Sequence, residues 1–188
     1  MQDNRLCGIN RDMIDDLTTF GFPVALSENL VLVANVYNFD IDGYKVLRTQ
    51  DITEVFSGEE EEFTEMILRR EKVLDSFKPE NIDISGLKAV FKALEDRNVI
   101  VQCESTEEIY FYEGRVTAIN KGEIVMKIFD SLGVWDDEEQ HIPLNKITSV
   151  SFGGRYISLM SKYIEKIWDK KIGHQIKMSD FFIFKFKL

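Results

Sequence analysis

The chain is poor in the residues that carry dedicated chemistry. Its two cysteines, Cys7 and Cys103, stand 96 positions apart and make neither a disulfide framework nor a CxxC ligand pair. Its two histidines, His141 and His174, leave a zinc site short of the three or four nitrogen and sulfur ligands it needs. No G-x-G-x-x-G, P-loop or H-E-x-x-H motif occurs, and no Ser-His-Asp ordering stands out. No stretch approaches the ~20 apolar residues of a membrane-spanning helix, and Met1-Gln2-Asp3-Asn4-Arg5 lacks the apolar core of a secretory signal. Together these gaps predict a cytoplasmic, reducing setting and a chain with no cofactor, no metal site and no catalytic centre.

Positive charge is scarce as well. Against 33 Asp and Glu there are 23 Lys and Arg, a net charge of −10, which argues against a general nucleic-acid binder because phosphate contacts need clustered cations. The imbalance is local. Residues 162–188 carry +4, through seven lysines, so the preceding 161 residues carry −14. The densest acidic run, Glu59-Glu60-Glu61-Glu62, falls where a helix is predicted to start, and there the positive end of the helix dipole stabilises it.

What is present is globular: 44% apolar and 30% charged residues over 188 positions, enough for one ordinary domain or two small ones. Short β-branched or aromatic runs separated by turn residues predict strands over 23–26, 30–37, 44–48 and 52–56, and again over 99–104, 109–112, 115–119, 124–129 and 147–152. Asp40-Ile41-Asp42-Gly43 and Asn120-Lys121-Gly122 have the composition of hairpin turns. Apolar spacing predicts four helices. Asn10 can cap one over 11–19 (Met13, Ile14, Leu17), and Phe63, Met66, Ile67, Leu74 and Phe77 mark a second, ended by Pro79. Ser85 can cap a third (Leu87, Val90, Phe91, Leu94); Ile157, Met160, Ile164 and Ile167 mark the fourth.

An internal repeat runs through these elements. Ile52-Thr-Glu-Val-Phe-Ser-Gly58 aligns without a gap on Ile147-Thr-Ser-Val-Ser-Phe-Gly153, with four of seven residues identical, and each copy leads into an amphipathic helix. Upstream, Asp42-Gly43-Tyr44-Lys45-Val46 aligns on Lys121-Gly122-Glu123-Ile124-Val125 at a shorter offset. The 16-residue difference is about the length of the stretch from Asp130 to His141. The expected fold is mainly β with flanking helices (α+β): two tandem antiparallel barrels, each preceded by a helix, over residues 1–78 and 79–188.

A helix followed by five strands resembles the Sm-like barrel, with SH3-like barrels near in shape, over roughly residues 10–152. Through Gly133-Val-Trp135-Asp-Asp-Glu-Glu, Ile142-Pro143 and Ile147-Thr-Ser-Val-Ser-Phe152-Gly-Gly-Arg-Tyr156 the chain is also similar to a group of uncharacterised bacterial proteins, a resemblance that implies a fold and no activity. Sm proteins hold RNA bases with an Asp-x-x-Met-Asn-like loop and an Ile-Arg-Gly-like loop. The turns here, Asp40–Gly43, Asn120–Gly122, Phe56-Ser-Gly58 and Phe152-Gly-Gly154, match neither.

Four features remain as sites. Gly153-Gly154-Arg155 lies between a strand and a helix start, where backbone N–H groups and a guanidinium can take an anion; the plainer reading is a tight chain reversal. Asp136-Asp137-Glu138-Glu139 with His141 offers oxygen ligands without calcium-loop spacing, and reads as a solvated strand edge that deters sheet-to-sheet pairing. Cys103, in phase with Val99 and Val101, reads as an inert core thiol. Residues 181–188 alternate Phe182, Phe184, Phe186 and Leu188 on one face, the pattern of a strand that seeks a backbone partner within the chain or across a homodimer. Trp135 joins Phe182, Phe184 and Phe186 as a partner contact. The expected function is a non-enzymatic protein-interaction module with an unidentified protein partner. The alternatives are an immunity-type inhibitor of a basic toxin, steered by the acidic body, and an Sm-like nucleic-acid binder.

Overall fold

A computed structural model describes residues 5–75, 77–106 and 111–170, with side chains described as far as Ile164. Ten strands form one antiparallel sheet: β1 (Cys7–Asn10), β2 (Thr19–Leu26), β3 (Leu30–Tyr37), β4 (Asp40–Arg48), β5 (Glu54–Phe56), β6 (Val101–Ser105), β7 (Phe111–Ile119), β8 (Glu123–Phe129), β9 (Trp135–Pro143) and β10 (Ile147–Phe152). Three helices accompany it: α1 (Glu59–Arg70), α2 (Leu87–Asp96) and α3 (Arg155–Lys170). The strand order is β5-β1-β2-β3-β4-β10-β6-β7-β8-β9, open at β5 and at β9. The sheet is thus a single continuous one, and the expectation of two separately closed barrels is replaced by halves joined edge to edge where β10 pairs with β4, Val150 opposite Val46.

Each half repeats one order, its fifth strand beside its first, then second, third and fourth. Short 3-10 helices at Thr49–Asp51 and Leu144–Lys146 precede the fifth strands. The second strand of each half bulges against the third, at Pro23–Ala25 and at Val116–Ala118, which bends the sheet. A bulge is also where a strand tolerates proline, which cannot donate to the ladder.

The burial pattern explains the strand types. In β3 both faces are covered: Leu30 and Leu32 enter the main core with Val46, Val150 and Met126, while Val31 and Val33 pack with Ile9 and Leu47. A run apolar at every position is what such a strand requires. The α2 stripe of Val90, Phe91 and Leu94 closes the main core, each such side chain contributing about 1.5–3 kcal/mol. That helix is capped by Gly86 rather than Ser85, whose N–H donates to Asp83 instead.

Several expectations are corrected. Residues 11–17 make one turn, not a helix, after a strand (β1) that the sequence reading missed. Met13 and Leu17 have no face to bury on, Met13 being 85% exposed, and an unpacked helix this short is not stable. The first hairpin turns at Asn38-Phe39, both at positive φ, with Tyr37 opposite Asp40. Asp40–Gly43 therefore lies within β4, while Gly122 lies between β7 and β8. The 42–46 and 121–125 segments are not equivalent, and no 16-residue insertion separates the halves: the two 3-10 helices stand 95 positions apart, like the 52–58 and 147–153 segments. Phe63 leaves the expected α1 stripe and is exposed. The stretch 135–143 is a single edge strand, with Ile142 buried and His141 exposed.

Candidate functional site

The seam between the halves holds a cluster of buried and partly buried charges. Lys45 on β4 and Glu104 on β6 flank β10, opposite Ser151 and Ser149, and the small serines leave room for their side chains to meet across it. Lys45 Nζ donates to Glu104 at 2.8 Å. Arg11, only 2% exposed, donates to the other Glu104 oxygen at 2.9 Å, to Asp15 at 2.5 Å and to the Thr148 carbonyl. Burial raises the Glu104 carboxyl, but Lys45 and Arg11 outweigh it and hold the group down to about 2. The cluster is charge-matched from within, as a buried ion group must be.

Beside it a polar cavity of about 210 Å³ lies between Asp42, Lys45, Gln102, Ser151 and Tyr156. Gln102 donates to Glu113, which also accepts from the Tyr156 hydroxyl at 3.1 Å. The Tyr156 phenol is raised by partial burial and by Glu113. Every charged group at this site is held by a neighbour, so the seam ties the halves together rather than presenting an activated acid or base.

The glycine turn is built for close approach. Gly43 and Gly153 both have positive φ, and a Cβ on Gly43 would stand 2.3 Å from the Gly154 nitrogen. That proximity lets Asp42 accept from the Arg155 N–H at 2.6 Å. The carboxylate at the α3 N-terminus is thus the chain's own, and the Gly153-Gly154-Arg155 turn is occupied from within. Trp135 is half-buried, edge-on to Phe129 at 5.4 Å with the Arg115 guanidinium 5.6 Å over its ring. Phe182, Phe184 and Phe186 lie outside the described residues. Cys103 is fully buried and Cys7 nearly so; burial pushes both thiols up, with Glu104 and Glu61 respectively adding to it, so neither is a poised nucleophile. In the acidic edge strand His141 pairs with Glu123 at 2.9 Å. Among the described residues no group of three His, Cys, Asp or Glu side chains is placed to hold a metal ion, and no helix is long and apolar enough to cross a membrane.

A second concavity, of about 270 Å³, opens between the β3–β4 hairpin tip and the start of α1, lined by Leu6, Phe20, Tyr37, Phe39, Glu60 and Thr64 among others. Its floor is fixed: the Leu6 N–H donates to Glu65, its carbonyl accepts from Ser57, and Glu61 accepts from the Gly58 N–H at the head of α1. Its walls are aromatic and open, Tyr37 63% and Phe39 52% exposed, with exposed Glu60 on the rim. The sequence reading missed these residues. The available signal was Asn38, a residue that tolerates positive φ, directly after an apolar strand. Comparison with protein-family models, with curated proteins and with solved structures finds no match for this chain.

Proposed function

We propose that the chain is a non-enzymatic protein-interaction module, two fused Sm-like units over residues 1–78 and 79–188. In support of the duplication, the strand order is the same in both halves, the midpoint bulges correspond, and the 3-10 helices stand at one constant offset. The observation that carries the interaction reading is the groove bounded by Phe20, Tyr37 and Phe39 with its acidic rim. Open aromatic walls around a fixed floor are the composition of a protein-binding hot spot, whereas a nucleic-acid site needs basic tracks beside its aromatics.

The test places a photo-reactive phenylalanine analogue at Tyr37 in the full chain and irradiates living cells. The expected result is discrete protein adducts that disappear when Phe39 is also replaced by glycine. Adducts to nucleic acid alone, or protein adducts indifferent to Phe39, overturn the reading.

A further inference from the structure

The first hairpin contains a local conflict. A two-residue turn with positive φ at both positions favours Asn-Gly, yet the second position here is Phe39, at φ 59°. A bulky residue in the left-handed region costs about 1–2 kcal/mol relative to glycine. The ring stands half in solvent at the mouth of the aromatic groove, so only part of its surface is buried against the fold. A residue that is worse for the turn and faces an open concavity has its role outside the hairpin.

The groove's chemistry selects its occupant: apolar side chains for Phe20, Tyr37 and Phe39, and positive charge for Glu60 and the neighbouring glutamates of the Glu59–Glu62 run. Residues 177–188 of this chain combine both, with Lys177, Lys185 and Lys187 among Phe181, Phe182, Phe184 and Phe186. The path of α3 argues against capture within one molecule. The helix starts where Asp42 holds Arg155, three positions beyond Phe39, and extends about 24 Å, passing Gly133 in the β8–β9 turn at Ile164. By Ile164 the helix lies against the second half, whereas the groove is lined by first-half residues.

We infer that the groove receives residues 177–188 of a second copy, the two molecules of a twofold dimer exchanging these segments so that the contact forms twice and closes. The inference deepens the interaction reading by naming the partner, and it rests on that reading.

Light scattering on the full chain, from about 100 μM downward, tests it. The expected result is a dimer whose dissociation constant rises at least about tenfold in Phe39→Gly and in Lys185→Glu/Lys187→Glu. Phe39→Gly should keep a melting temperature no lower than that of the parent, because glycine suits the turn, so lost association cannot be ascribed to lost folding. Adding Glu60→Lys to the double lysine variant should restore part of the association. A monomeric parent, or a dimer unmoved by these substitutions, overturns the inference. If the parent is monomeric while the Tyr37 probe still captures another protein in a Phe39-dependent way, the interaction reading stands and only self-association falls.

Discussion

Single residues decide whether the seam holds. Arg11 and Lys45 approach one carboxylate, Glu104, from two elements far apart in sequence, and the β10 serines between them are small enough to allow it. Removing one member of a buried ion group leaves the others unpaired, which costs more than the pair contributes. The Glu104 group is lowered from 4.5 to about 2 in the folded chain, so the sign of its linkage is fixed. Its stabilisation is complete above the unfolded value of 4.5 and is lost as pH falls toward 2, a contribution on the order of 3 kcal/mol. Urea midpoints measured at pH 7, 4 and 2.5 should therefore fall more steeply for the parent than for Glu104→Gln. The variant should be less stable than the parent at pH 7, and the gap should narrow in acid. A gap that stayed constant would show that the carboxylate is not linked to folding in this way.

At the scale of elements, the close approach of β4 to the β10–α3 turn depends on having no side chain at Gly43. A Cβ there would meet the Gly154 nitrogen at 2.3 Å and the Phe152 carbonyl at 2.4 Å, on a backbone with φ +71°. Gly43→Ala should cost about 2–4 kcal/mol, read as a drop in the urea midpoint. Gly86 caps α2 in extended geometry with open space around it, so Gly86→Ala should stay within about 0.5 kcal/mol. The same elements show what a sequence can disclose. The long strands were legible because β3 holds a continuous apolar run and β8 and β10 are rich in β-branched and aromatic residues, with turn residues nearby. β1 was not, since Cys7-Gly8-Ile9-Asn10 is four residues long with a glycine, and its strand character comes from pairing with β2 and β5. Met13, Ile14 and Leu17 fit a helical spacing by accident of a segment too short to test it. Asp42-Gly43 reads as a turn and serves as a bulge in β4. The aromatic groove was not legible because Phe20, Phe39 and Glu60 come from three separate elements. Phe182, Phe184 and Phe186 alternate in the sequence and lie outside the described residues.

Across the whole molecule, the seam and the core make the halves interdependent. The main apolar cluster takes Leu30, Leu32 and Val46 from the first half and α2, β6, β7, β8, β9 and β10 residues from the second. Val150 pairs with Val46 on one side and Cys103 on the other, so neither half can close this core alone. Arg11 reinforces the arrangement by reaching from the first half to Thr148 and Glu104. Unfolding should then be a single transition. The sequence offers a convenient check, since both tryptophans, Trp135 and Trp168, lie in the second half. Tryptophan fluorescence follows that half, while far-ultraviolet circular dichroism follows all ten strands. The two urea curves should coincide in midpoint and slope. If the fluorescence transition separated from the dichroism transition, the halves would be two folding units sharing an edge, and the buried ion cluster would be a late contact between finished parts rather than a condition of either one's folding.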